Sequence, residues 1–151
     1  VHPAALHEVL ACSDVVVATT GVPGLIDPER VRRGQVILAL SNPTPEIAPR
    51  AAMAAGAAYA TDGTVVNNLL GFPGLLRGAL EARARRFTPS MFVAAGEAIA
   101  GQAAPGEVMP DPLDRAMHGA VALAVARTAV AEGVARAVPD EEALAAAFAA
   151  A

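Results

Sequence analysis

The sequence predicts an α/β fold: a parallel sheet of about three strands with intervening helices, followed by an all-helical C-terminal segment. Three observations carry this reading. Helix-like and strand-like stretches alternate at about 20 residues per unit through the first part of the chain. The strand-like stretches are short apolar runs without polar alternation, the pattern of strands buried on both faces of a parallel sheet. From Phe72 onward only helical spacing remains. The expected division is therefore 1–71 and 72–151.

The elements follow in order. Pro3 to Ala11 reads as a helix with Leu6, Val9 and Leu10 on one face. Val15-Val16-Val17-Ala18-Thr19 is the first strand, and Thr20-Gly21-Val22-Pro23-Gly24 the turn at its end. Asp27 then caps a helix with Pro28 at its first position, and Gly34 ends it. Gln35 to Leu40 is the second strand, broken by Ser41-Asn42-Pro43-Thr44-Pro45. Pro49 to Ala55 is a helix closed by Gly56. Ala57 to Thr61 is a weaker third strand, followed by the turn Asp62-Gly63. In the second part, helices are expected over Pro73–Arg85, over a stretch capped by Thr88, and over Leu113–Glu132. A last, alanine-rich helix runs from the cap Asp140 to Ala151. Met91, Ala94, Ala95, Ala98 and Ile99 form the apolar face of the helix after Thr88.

Composition narrows the function classes. Of 151 residues, 54% are hydrophobic and 17% charged, which excludes a disordered chain. The net charge of −4 offers no basic surface for nucleic acid, and Arg83-Ala84-Arg85-Arg86 reads as favourable charge at a helix C-terminus. No apolar run reaches membrane-spanning length, and no signal-peptide pattern opens the chain. The single Cys12 excludes an internal disulfide framework and reads as a small buried hydrophobe, in keeping with a reducing compartment. The chain opens on Val1 in the middle of a helical pattern, which suggests a fragment or a trimmed product.

In open α/β sheets ligands bind beyond the carboxyl ends of the strands. Three loops occupy such ends: Thr20-Gly21, Ser41-Asn42-Pro43-Thr44, and Asp62 to Asn68. Their polar residues should converge on one edge. Asn42, Asn67 and Asn68 carry uncharged amides that both donate and accept, suited to a carboxylate, a hydroxyl or another amide. Each also has a plainer reading, as a turn or capping residue. Gly71, Gly74 and Gly78 leave backbone that another element can approach closely. His2, His7 and His118 are unpaired and read as surface or helix-face residues. Asp111 or Asp114 reads as a helix N-cap, and Glu132 as a solvent-facing residue at a helix end. There is no GxGxxG turn, no acidic trio for a metal, and no Tyr/Lys pair, since all 11 basic residues are Arg.

Four segments, in order, carry a family resemblance: Ser41-Asn42-Pro43-Thr44-Pro45-Glu46, Asn67-Asn68-Leu69-Leu70-Gly71-Phe72-Pro73-Gly74 with Arg77-Gly78-Ala79-Leu80, Pro110-Asp111-Pro112-Leu113-Asp114, and Glu132-Gly133-Val134-Ala135-Arg136. Together they resemble the short, bacterial type of malic enzyme. The resemblance implies that 1–71 is the C-terminal half of a Rossmann-like NAD(P)-binding domain. It implies that 72–151 is a helical segment packing on that half and on an N-terminal domain. The activity implied is oxidative decarboxylation of malate to pyruvate and CO2, with NAD or NADP as hydride acceptor. A divalent metal, Mg or Mn, would be held by residues outside this chain, as would the catalytic acid and base. By the same resemblance Thr20, Gly21 and Asn42 line the cofactor site, and Asn42 with Asn67 or Asn68 contacts substrate. A cytoplasmic homodimer is implied as well. The loop Thr61 to Val66 departs from the family, being shorter than the acidic-aromatic-proline run expected before the asparagine pair. Two other readings remain: a non-catalytic truncated paralogue acting as an interaction module, and another Rossmann-type 2-hydroxy-acid dehydrogenase.

Overall fold

A computed structural model of the chain describes residues 3–105, 107 and 109–149. His2 and the expected end of the last helix at Ala151 lie outside the described residues. The chain forms two compact units that meet in sequence at Asn67/Asn68.

The first unit holds helix α1 (Pro3–Cys12), strand β1 (Val15–Ala18), strand β2 (Val36–Ala39), helix α2 (Pro49–Ala54) and strand β3 (Tyr59–Asp62). The three strands pair in parallel, in the order β1-β2-β3. Val15, Val36 and Tyr59 share one row, and Ala18, Ala39 and Asp62 another. Parallel pairing fits the sequence, because each strand is followed by enough chain to cross back over the sheet. One face of the sheet is the core: Ala18, Ile37 and Ala39 pack with Leu10, Ile26, Ile47, Ala52 and Ala57. Burying a side chain the size of Ile37 contributes about 1.5–3 kcal/mol.

Several expectations are corrected here. Val15 and Val17 are 57% and 59% exposed, so β1 is covered on one face only. On α1, Leu10 is buried but Val9 is 52% exposed. Cys12, expected in the core, is exposed, because it ends α1 on the side away from Leu10. The helix expected from Asp27 to Gly34 is a single 3-10 turn, Pro28–Arg30. Asp27 does cap it, accepting the Glu29 N–H at 3.0 Å, but Val31 is already extended at φ −71°, ψ 122°. A segment this short cannot repay helix nucleation. Gln35 competes for it, its Oε1 accepting the Arg32 N–H at 2.8 Å.

The second unit is helical: α3 (Phe72–Glu81), α4 (Pro89–Ala100), α5 (Arg115–Ala131) and α6 (Glu141–Ala149). Helix α5 is its axis and packs against each of the other three. Met117, Val121, Ala122, Val125 and Ala129 on α5 are wholly buried, with Met91 and Ala95 of α4 and Leu144 of α6 against them. The caps follow the sequence. Thr88 Oγ1 accepts the Met91 N–H, Asp114 accepts from Ala116, and Asp140 accepts from Glu142 and Ala143. Asp111 instead turns the chain ahead of α5, accepting the Leu113 N–H at 2.8 Å.

Two further corrections fall in this unit. Helix α3 stops at Glu81 rather than at Arg85. The Ala84 and Arg83 N–H groups return to the carbonyls of Ala79 and Leu80, closing a Schellman motif with Arg83 left-handed at φ 47°. His118 is only 8% exposed: it lies on the inner face of α5, and its Nε2 is 2.9 Å from the Pro112 carbonyl.

Candidate site at the strand ends

The carboxyl edge of the sheet in the first unit gathers three loops through hydrogen bonds. Glu46 is the hub. It is fully buried, and its Oε1 accepts the Thr20 N–H at 2.6 Å, the Thr20 hydroxyl at 2.8 Å and the Ser41 hydroxyl at 2.6 Å. The Ser41 hydroxyl in turn accepts the Gly21 N–H at 2.9 Å. Thr20 and Gly21 follow β1, Ser41 follows β2, and Glu46 sits in the crossover after it. One carboxylate therefore fixes the ends of two neighbouring strands. Its other oxygen, Oε2, is buried and has no hydrogen-bond partner among the described residues.

Burial alone raises the pKa of Glu46. The hydrogen bonds from the Ser41 hydroxyl, the Thr20 hydroxyl, the Thr20 N–H and its own N–H outweigh that and bring it down from 4.5 to about 2. A carboxyl whose pKa is depressed in the folded state stabilises the fold above its unfolded pKa, and that contribution is lost as pH falls through the folded value. The window is therefore about pH 4.5 down to 2. The shift corresponds to roughly 3 kcal/mol. We expect the urea midpoint to fall across this window in the parent chain and to fall much less in Glu46→Gln. Parallel curves for the two would show that Glu46 is not the titrating group.

The third loop joins through Asn42. Its Nδ2 donates to the Gly63 carbonyl at 3.2 Å, bridging the ends of β2 and β3. The side chain is otherwise exposed, and its Oδ1 has no partner among the described residues. Gly63 is required for this contact. A Cβ there would lie 2.5 Å from the Leu40 carbonyl oxygen and 2.6 Å from Asn42 Nδ2. The next carbonyl, Thr64, accepts from Asn67 Nδ2 at 3.5 Å. The loop itself is wound by Asp62, whose Oδ1 accepts both the N–H and the hydroxyl of Thr64.

Of the sequence-selected residues, the first unit thus brings together Thr20, Gly21, Asn42 and Asn67. Asn68 opens the second unit, where its side chain is exposed and its carbonyl accepts the Gly71 and Phe72 N–H groups. The Thr20 and Gly21 N–H groups and the Thr20 hydroxyl are taken up by hydrogen bonds, while both residues remain exposed. Gly21, at φ 71°, has open space where a side chain would stand. That leaves the Gly21 backbone open on this side. Two residues escaped the sequence reading. Glu46 appeared only inside a motif, and Gly63 only as a turn signal; the hydroxyls of Thr20 and Ser41 at two strand ends were the available hint of a shared acceptor.

Metal ligation is a different matter. Among the described residues no group of three His, Cys, Asp or Glu side chains is placed to hold a metal ion. Asp111 and Asp114 are spent on turn and cap hydrogen bonds. Among the described residues no helix is long and apolar enough to cross a membrane.

No protein-family model matches the sequence. Individual proteins do. The chain is 58% identical over 125 residues to NAD-dependent malic enzyme 1 of Bacillus subtilis, covering 83% of this chain and 28% of that protein. It is 39% identical over 150 residues to the bifunctional malic/malolactic enzyme of the same organism, covering 91% of this chain and 36% of that protein. Among solved structures, malic enzyme from Pyrococcus horikoshii superimposes with a TM-score of 0.83 at 37% identity, covering 95% of this chain and 36% of that one. The chain spans 28% of the first of these proteins and 36% of the other two. Over that span it belongs to the malic enzymes, and its parallel three-stranded sheet is Rossmann-like.

Proposed function

We propose that the protein carrying these residues oxidatively decarboxylates malate to pyruvate and CO2, with NAD or NADP taking the hydride. The observation that carries this reading is the carboxyl edge of the sheet. There the amides of Asn42 and Asn67 sit on the adjacent carbonyls Gly63 and Thr64, and Ser41, the residue before Asn42, accepts the Gly21 N–H. The similarity to an NAD-dependent malic enzyme supports the same reading.

When bound, the dinucleotide supplies the hydride acceptor. The chain's own residues orient. Thr20 and Gly21 give the cofactor a wall, and Asn42 Oδ1 accepts from its carboxamide or from substrate. Asn67 or Asn68 donates to a malate carboxylate. Neutral amides suit this work, because they position a charged substrate without adding charge that must be desolvated. A divalent cation, Mg or Mn, belongs to residues outside this chain. We further propose a homodimer located in the cytoplasm, a reducing compartment with which the exposed free thiol of Cys12 accords.

The test is Asn42→Ala in the protein that carries this segment, followed by NAD(P)H absorbance with malate. We expect kcat/KM to fall about 100-fold, the scale of an orientation error of about 1 Å. The isolated 151-residue chain should not turn over malate. Unchanged kcat/KM in the variant would overturn the role of Asn42, and turnover by the isolated chain would overturn its expected inactivity; a parent protein that forms no NAD(P)H with malate would overturn the activity itself.

A further inference from the structure

We propose that Glu46 is a positioning residue for the dinucleotide: by accepting from Thr20 and Ser41 together, it sets the backbone of Thr20–Gly21 in the form against which the cofactor lies. This rests on the reading above. Three facts carry it.

First, Glu46 does not meet a ligand. It is fully exposed to nothing but protein, being 0% accessible, and all three bonds to Oε1 come from loop residues. Second, what it holds is the candidate wall and little else. The Thr20 N–H and hydroxyl bind it directly, and the Gly21 N–H is held through Ser41. These donors come from the ends of two strands, so releasing them frees both loops at once. Third, among the described residues Glu46 is the one charged group bonded to this wall; the other bond to the Thr20 hydroxyl is local, from the Val22 N–H at 3.2 Å. Gly21 is in a conformation that glycine adopts easily, with no neighbour within 4 Å of its missing Cβ. Without the carboxylate, Thr20–Gly21 would sample many backbone states, and ligand binding would have to select one of them.

A purely structural role and a positioning role separate in two variants. Glu46→Gln keeps an acceptor at Oε1 but puts an NH2 group at the buried Oε2 position, where no partner exists among the described residues. It should lower stability while leaving the loops in place. Glu46→Leu keeps the bulk but removes the acceptor.

The experiment measures binding of the reduced dinucleotide by fluorescence, without turnover, in the protein that carries this segment. Thermal melting is followed in parallel. We expect Glu46→Gln to melt lower yet bind within threefold of the parent, and Glu46→Leu to bind at least tenfold more weakly. Should Glu46→Leu not fold, Ser41→Ala takes its place. It breaks only the Gly21 relay and should weaken binding about three- to fivefold. Parent-like binding by Glu46→Leu, or by Ser41→Ala where that variant stands in, would overturn the role. So would affinity that simply follows melting temperature, with Glu46→Gln as impaired as Glu46→Leu. A parent protein that binds no dinucleotide would overturn the functional reading itself, and this role with it.

Discussion

Gly78→Ala should destabilise the helical unit by roughly 1–3 kcal/mol, even though the same change helps most exposed helices. Helices α3 and α5 pack across Gly74 and Gly78, which lie on one face of α3, one turn apart. A Cβ at Gly74 would stand 2.7 Å from both the His118 carbonyl oxygen and Val121 Cβ. At Gly78 it would overlap the Ala122 carbonyl oxygen and come within 3.0 Å of Val125 Cβ. None of these groups can swing away. The carbonyls belong to the backbone of α5, and the side chains are β-branched and wholly buried. Against the clash stands the helix propensity that Ala gains over Gly, about 1 kcal/mol. Overpacking against fixed backbone exceeds it, so the helices must separate and uncover the core between them. A drop of about 5–15 °C in melting temperature is the corresponding readout. Gly96→Ala supplies the control. It lies within α4 with nothing within 4 Å of the added carbon, so only the propensity gain applies and the melting temperature should rise. If both substitutions stabilise, α3 and α5 are not in backbone contact.

The contrast between these glycines shows where the sequence is informative. Spacing of four residues marked Gly74 and Gly78 as a close-packing face, and local chemistry marked the caps Asp27, Thr88, Asp114 and Asp140. Both signals are local: a cap acts on the next turn, and a helix face repeats every three or four residues. The failures are non-local or break a local habit. Arg83 ends α3 in a left-handed conformation that Gly or Asn usually supplies, so nothing in Arg83-Ala84-Arg85-Arg86 announced the stop. Val15 and Val17 read as buried because three valines in a row do, yet what covers a strand face is decided by elements distant in sequence. Glu46 is the clearest case. Its donors lie 26 and 5 residues away, and only the pairing of β1 with β2 brings them to one carboxylate. The amides of Asn42 and Asn67 were legible as loop chemistry at strand ends, but their anchoring on neighbouring carbonyls of one loop was not.

That anchoring leads to the second large effect. Gly63→Ala should lower kcat/KM for malate about 100-fold in the protein that carries this segment, although Gly63 itself has no side chain to meet substrate. Gly63 is buried, and its added Cβ would meet the Leu40 carbonyl oxygen at 2.5 Å and Asn42 Nδ2 at 2.6 Å. The Leu40 carbonyl follows β2 directly, and the Leu40 N–H is bonded to the Ala18 carbonyl at 2.8 Å, so this backbone resists movement. The exposed Asn42 amide is the softer of the two and gives way. Its bond to the Gly63 carbonyl breaks, and Oδ1 leaves the direction in which that bond held it. If this is the cause, Gly63→Ala and Asn42→Ala act through one interaction, and combining them should cost little more than Asn42→Ala alone. Losses that multiply in the double variant would mean that Gly63 matters for another reason, such as the path of the loop toward Asn67. Melting temperature discriminates further. A misplaced exposed amide leaves it nearly unchanged, whereas a loop forced away from β2 lowers it, because the strand-end packing opens as well.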